Sequence, residues 1–249
     1  MSSSSHRAAP ERNQLPAVQK MRVQFAKRGR LRFTSHRDFQ RAFERALRRA
    51  DVPMAYSHGF TPHPKISFVG AAPTGAASEA EYLEISLTAR RDPEQVRASL
   101  DSALPPGLDI LSVSEVELEG RGSLADQLQA SSWLIELPGA AVDDVRGAVD
   151  ALMAADSVEV QRLTKKGTRT LDARAAVLHA RVVVDEDDRP ADEPALRLVI
   201  EHQTPTVRPE EILGALREVA DFEPPTPPRV TRLAQGTWNP AHQHLTPPK

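Results

Sequence analysis

An α+β fold is what this sequence predicts, and three observations predict it. Short stretches that alternate apolar and polar residues recur along the 249-residue chain, each of strand length. Between them lie amphipathic stretches of helical period, several opened by recognisable start signals. The order strand, helix, strand, strand, helix, strand is met twice.

The first elements carry the clearest signals. "MRVQFAKRGRLRFTS" alternates at Val23, Phe25, Leu31 and Phe33 around "KRG", which predicts a hairpin or a bent strand. Ser35 followed by Asp38 has capping-box spacing and opens a helix that runs to Ala50. Phe39, Phe43, Ala46, Leu47 and Ala50 fall on one face of it, and Arg37, Arg41, Arg45, Arg48 and Arg49 on the other. Pro53 marks its exit. "KISFVG" and "AEYLEISL" read as strands joined by the turn-rich "AAPTGAASE". Asp92 at an N-cap and Pro93 at the first helical position start the helix of "DPEQVRASLDSAL". "LDILSVSEVEL" closes this half as a strand.

The second half repeats the order more loosely. "SSWLIELP" predicts a strand, "AVDDVRGAVDALMAA" a helix and "VEVQRL" a strand. "DARAAVLHARVVV" predicts a short helix running into a strand, and "ALRLVIEHQ" a further strand. "RPEEILGALREVA" predicts a helix, and "RVTRLAQ" ends the sheet. The predicted fold is therefore two tandem ferredoxin-like (βαββαβ) halves, antiparallel sheets with helices on one face. The corresponding division is a disordered leader at 1–20, a first half at 21–118, a linker at 119–129, a second half at 130–236 and a flexible tail at 237–249. "DEDDRPADEP" and the proline-rich stretches after Phe222 read as solvated connections.

Composition narrows the function classes. The chain is 27% charged, 40% hydrophobic and only 4% aromatic, with a net charge of -2. It has no cysteine, which excludes a disulfide framework, a thiolate zinc site, a cysteine nucleophile and a cysteine-ligated iron–sulfur cluster. No apolar run reaches membrane-span length, and the N-terminus lacks the apolar core of a signal peptide, so a cytoplasmic protein is expected. The near-neutral total hides an asymmetry. Between Lys20 and Arg49 eleven Lys or Arg face only Asp38 and Glu44, a net of +9, whereas the last 200 residues carry -12. A basic block on an acidic body points to an anionic partner.

Three groups of residues are candidates for a site. Arginines spaced by four on a helix, with Lys27, Arg28, Arg30 and Arg32 before them, make a line of planar donors suited to successive phosphates or to an acidic protein surface. A solvated polar face is the plain alternative. The loop "AYSHGFTPHPKISF" places Tyr56, His58, His63 and Lys65 on a backbone stiffened by Pro62 and Pro64, with Gly59 allowing unusual geometry and Phe60 reading as a core plug. Its histidines have no carboxylate or cysteine at ligand spacing, so no metal is expected. Glu79 and Glu81 share a strand face. They read as salt partners of Lys65 or Arg32, with acid–base work beside His63 as the alternative. Arg169, Asp172 and His179 faintly resemble the catalytic stretch of TruA-type pseudouridine synthases. Leu171 splits the run, and a helix-capping aspartate is the favoured reading of Asp172.

Three quoted stretches, Arg32 to Asp38, Tyr56 to Phe68 and Ser78 to Tyr82, match in order the words R-F-x-S-H-x-D, Y-S-x-G-F-x-P-H-P-K-I-S-F and S-E-A-E-Y. In these the chain resembles the radical SAM-linked family, a bacterial domain of unknown function. Thr34 fills a slot that is often apolar in the family and Arg37 one that is often leucine; position 58 varies there. The resemblance implies partnership. Such domains occur alone or fused behind a radical SAM enzyme, and lone versions are often encoded near ribonuclease E/G and ribosomal protein genes. The leading expectation is a non-catalytic accessory module, without cofactor, that binds RNA or a separate radical SAM enzyme. Arg30, Arg32, Arg37, Arg41, Arg45 and Lys65 would meet negative charge. An RNA- or nucleotide-modifying enzyme using His63 with Glu79 or Glu81, and a purely protein-binding scaffold, are the alternatives.

Overall fold

A computed structural model of the chain describes residues 15–58, 61–118, 122–165, 167–184 and 193–249. Gly59 and Phe60, the leader up to residue 14, and parts of the two expected connections (119–121 and 185–192) lie outside the described residues. The described chain is α+β, with five α-helices and mostly antiparallel strands. It divides into two units: 1–26, 34–71 and 81–121 form the first, and 27–33, 72–80 and 122–249 the second.

The first unit is built on β1 (Gln19–Lys27), α1 (His36–Arg49), β2 (Ile66–Val69), β3 (Ala77–Leu87), α2 (Pro93–Ala103) and β4 (Ile110–Val116), with Lys27 at the end of β1 and residues 77–80 at the start of β3 counted in the second unit. The strands run in the order β4, β1, β3, with β2 also pairing β3. β1 is antiparallel to β4, from Lys20 opposite Val116 to Phe25 opposite Ile110, and β2 is antiparallel to β3. Ser35 caps α1, its hydroxyl accepting from the Asp38 N–H at 3.2 Å. Asp92 does the same for α2, accepting from the Gln95 N–H at 3.0 Å. The apolar face of α1 is buried as its spacing predicts: Phe39 and Phe43 pack on Phe25 of β1 at 4.9 and 5.1 Å between ring centres, and Phe68 of β2 closes the cluster.

The second unit contains α3 (Leu124–Gln127), β5 (Ala130–Glu136), α4 (Val142–Ala154), β6 (Glu159–Thr164), β7 (Gly167–Asp172), β8 (Val177–Val183), β9 (Ala195–Glu201), α5 (Pro209–Ala220), β10 (Arg229–Asn239) and β11 (His244–Thr246). Its strand order is β10, β5, β9, β8, all antiparallel. β11 pairs β10, and Ala77 and Ser78 run parallel to β10. The core lies where Ile135, Leu196, Leu198 and Ile200 meet Val145, Leu152, Ile212 and Leu216 of α4 and α5.

Two local expectations give way. Leu31 and Phe33 alternate like a strand, but Gly29 at φ 55° turns the chain into a 3-10 turn (Gly29–Phe33) with no buried residue. "GTRTLD", unassigned from its pattern, pairs with β6 as a two-stranded ribbon in which only Val160 and Leu171 are buried apolar anchors and Leu163 is left exposed. Within 237–249, expected as a tail, β10 continues to Asn239 and β11 folds back along it.

Candidate anion-binding surface

Burial of Phe39, Phe43, Ala46 and Leu47 fixes the rotation of α1 and turns its arginines outward. At 100° per residue, Arg37, Arg41, Arg45 and Arg48 fall within an arc of about 80° along about 17 Å of helix. All four are exposed, as is Arg49. Arg41 approaches Asp38 only at 3.9 Å, and Arg37, Arg45, Arg48 and Arg49 have no carboxylate partner among the described residues. Glu44 lies on the same face and forms no ion pair among the described residues either.

The loop before β2 is held by its backbone. Ser57 and His63 clasp each other: the Ser57 N–H donates to the His63 carbonyl at 2.8 Å and the His63 N–H donates to Ser57 Oγ at 3.0 Å. Tyr56 bridges Pro64, and the Lys65 N–H donates to Ala55 O at 2.8 Å. The side chains of Tyr56, His58, His63 and Lys65 are left exposed. Ile66 pairs Ile85, and Phe68, on the same face as Ile66, touches α1. Lys65, one residue earlier, is exposed and bonded through its carbonyl to the Ser86 N–H at 3.2 Å.

The carboxylates are not arranged for acid–base work with His63. No carboxylate oxygen comes within 4.0 Å of its ring nitrogens among the described residues. Glu79 instead takes a bidentate pair from Arg28, with Nε to Oε1 at 2.7 Å, where Lys65 or Arg32 was the expected partner. Glu81 is 5% exposed. The described residues hold no group of three or more His, Asp or Glu able to bind a metal.

The sequence pattern passed over Glu84. It is buried in the first unit between Arg22, at 2.8 Å, and Lys20, at 2.5 Å. Burial opposes its ionisation, but the hydrogen bonds and charges of Lys20 and Arg22 prevail and hold the carboxyl below the usual range. The available signal was the alternation of Lys20 and Arg22 on β1, but β3 offers three acids, Glu79, Glu81 and Glu84, and only the strand register singles out the last. Asp172 is a local cap: Oδ1 accepts from the Val158 N–H at 3.2 Å and the Ala175 N–H at 3.1 Å. Burial works against its charge, and those backbone donors outweigh it and lower its pKa.

In the second unit an open cavity of about 620 Å³ lies at the start of α4 and the end of α5. Asp143, Asp144, Asp221 and Glu223 line it, so it repels anions.

The family model described as "Uncharacterized protein conserved in bacteria (DUF2344)" matches residues 20–209. No curated protein matches. A solved structure of an unknown protein from Galdieria sulphuraria is similar at 14% identity over 82% of this chain and 92% of that one. Its TM-score of 0.24 carries no argument about fold or activity.

Proposed function

The chain belongs to the DUF2344 family of uncharacterized bacterial proteins, and on that premise we propose that it is a non-catalytic accessory protein that binds RNA through α1. One observation carries the reading: a row of exposed guanidinium groups, Arg37, Arg41, Arg45 and Arg48, whose one ion pair among the described residues is the 3.9 Å contact of Arg41 with Asp38, with a single further acid, Glu44, on the same face. Planar donors repeated along a rigid helix suit successive phosphates, and a stable protein has no folding use for so many unbalanced cations on one face. Among the described residues no carboxylate oxygen lies within 4.0 Å of the His63 ring nitrogens, which favours this reading over the enzymatic alternative. The motif resemblance adds a partner to the same proposal, a radical SAM enzyme on a separate polypeptide, since this chain has no cysteine to ligate a cluster.

The finer fold reading belongs here too. The first unit's βαββαβ order with strands β4, β1, β3 and β2, and the second's order β10, β5, β9, β8, both favour ferredoxin-like halves, the second enlarged by the β6–β7 ribbon.

Filter binding of a mixed-sequence single-stranded RNA tests the function. Four phosphate contacts predict a fall in affinity of about 50-fold between 50 and 200 mM salt. The double variant Arg41→Glu with Arg45→Glu should abolish measurable binding while melting like the parent, because both side chains are exposed. Equal affinity of variant and parent, or no binding by the parent at low salt, refutes the proposal.

A further inference from the structure

We propose that Phe33 and Arg32 form a stacking platform for an unpaired base of RNA, with Arg30 as the cation for the adjoining phosphate. The choice of RNA rests on the reading above; the new content is that a base is gripped as well as the backbone.

Phe33 is 60% exposed, against 40% for Tyr56, in a protein with few aromatics to spare from its core. Its exposure is built in. Gly29 at φ 55° ends the strand, and the 3-10 turn that follows lifts Phe33 out of alternation with Val23 and Phe25. The Gly75 N–H then donates to the Arg32 carbonyl at 2.8 Å and fixes the turn against residues 72–80. A Cβ at Gly75 would stand 4.0 Å from Phe33 Cε1, so the ring edge rests beside a residue with no side chain. The Arg32 guanidinium sits 4.7 Å from the ring centre. Arg28, the neighbouring cation, is engaged by Glu79. Arg30 and Arg32 have no carboxylate partner among the described residues.

An exposed ring with a guanidinium over one face makes a stacked pair on whose outer planar surface any base can stack, whatever its sequence. Phosphate binding alone would need the arginines and no aromatic.

Two probes separate these cases: a mixed-sequence single-stranded RNA of twenty nucleotides, and inorganic polyphosphate, which has charge but no bases. Phe33→Ala should weaken RNA binding about 5- to 100-fold and leave polyphosphate binding within about two-fold. Phe33→Trp should restore RNA affinity, and its added fluorescence, relative to the parent protein, should be quenched by RNA. If Phe33→Ala binds RNA as the parent does while Arg41→Glu with Arg45→Glu does not, the platform is wrong and the helix reading stands. Equal weakening towards both probes would mean that Phe33 acts on structure, which also overturns it. A parent protein that binds neither probe removes the RNA reading and the platform with it.

Discussion

Glu84 shows how one residue can be essential to the first unit without being a candidate for function. Its carboxylate lies buried between Lys20 and Arg22, with Arg22 equally enclosed. Taking such charges out of water is costly, and the cost is met only while both signs are present. Glu84→Gln should therefore destabilise the protein by about 3–5 kcal/mol, since Arg22 would be left buried with one partner fewer. Urea unfolding measures this, and replacing Arg22 and Glu84 together with apolar residues should recover much of the loss. A loss below about 1 kcal/mol, the range of exposed pairs, would show that the triad is solvated. Arg28 and Glu79 make the contrasting case, partly exposed and worth far less. From the sequence the two glutamates look alike, because burial depends on which strands become neighbours.

At the scale of elements, the helices were legible and the joints between them were not. Ser35, Asp92 and Pro93 announce their helices through bonds that form within four residues, so sequence alone locates α1 and α2. The 3-10 turn at Gly29 is held by a partner far along the chain, Gly75, and the β6–β7 ribbon is local but nearly without buried apolar residues; alternation cannot tell a turn or a ribbon from a core strand. The end of β10 is another such joint. A Cβ on Gly236 would fall 1.9 Å from the Thr246 carbonyl oxygen, so the return of β11 needs a glycine there. Gly236→Ala should detach β11 and leave the rest of the second unit folded, because the β5 pairing of β10 lies on its other edge. Hydrogen exchange would show Trp238 and Leu245 losing protection while Leu134 and Ile135 keep theirs. Unchanged protection at Leu245 would mean that the backbone yields at Gly236 instead.

For the whole molecule, the charge count found a basic block but not how much of it is free. Among the described residues four of its eleven cations are held closely, Lys20 and Arg22 by Glu84, Lys27 by the carbonyls of Ala72 and Pro73, and Arg28 by Glu79, and a fifth, Arg41, meets Asp38 only at 3.9 Å. The four held closely lie on or just after β1, and the arginines that remain outward lie on the turn and on α1. The site was thus half legible: helical period exposed the row, whereas which cations are paired required strand register. Charge also sets how stability responds to pH. His202 Nδ1 is 2.7 Å from the Leu128 carbonyl, which only accepts, so this nitrogen carries the proton of the neutral ring. Burial, reinforced by the charge of Arg232 and only partly offset by that hydrogen bond, holds the His202 pKa below its ordinary 6.5. The folded protein thus prefers neutral histidine while the unfolded chain takes up a proton near pH 6.5. The contribution is complete above that pH and is lost as the pH falls below it. Glu84, with its pKa held below 4.5, loses its contribution in a separate, more acid window. Unfolding free energy measured from pH 2 to 8 should accordingly fall in two steps on acidification, one below pH 6.5 and one below pH 4.5. His202→Gln, which can still donate to Leu128, should flatten the step below pH 6.5 and leave the acid step in place. A step that survives unchanged in that variant would assign the proton to another group and leave His202 a merely buried ring.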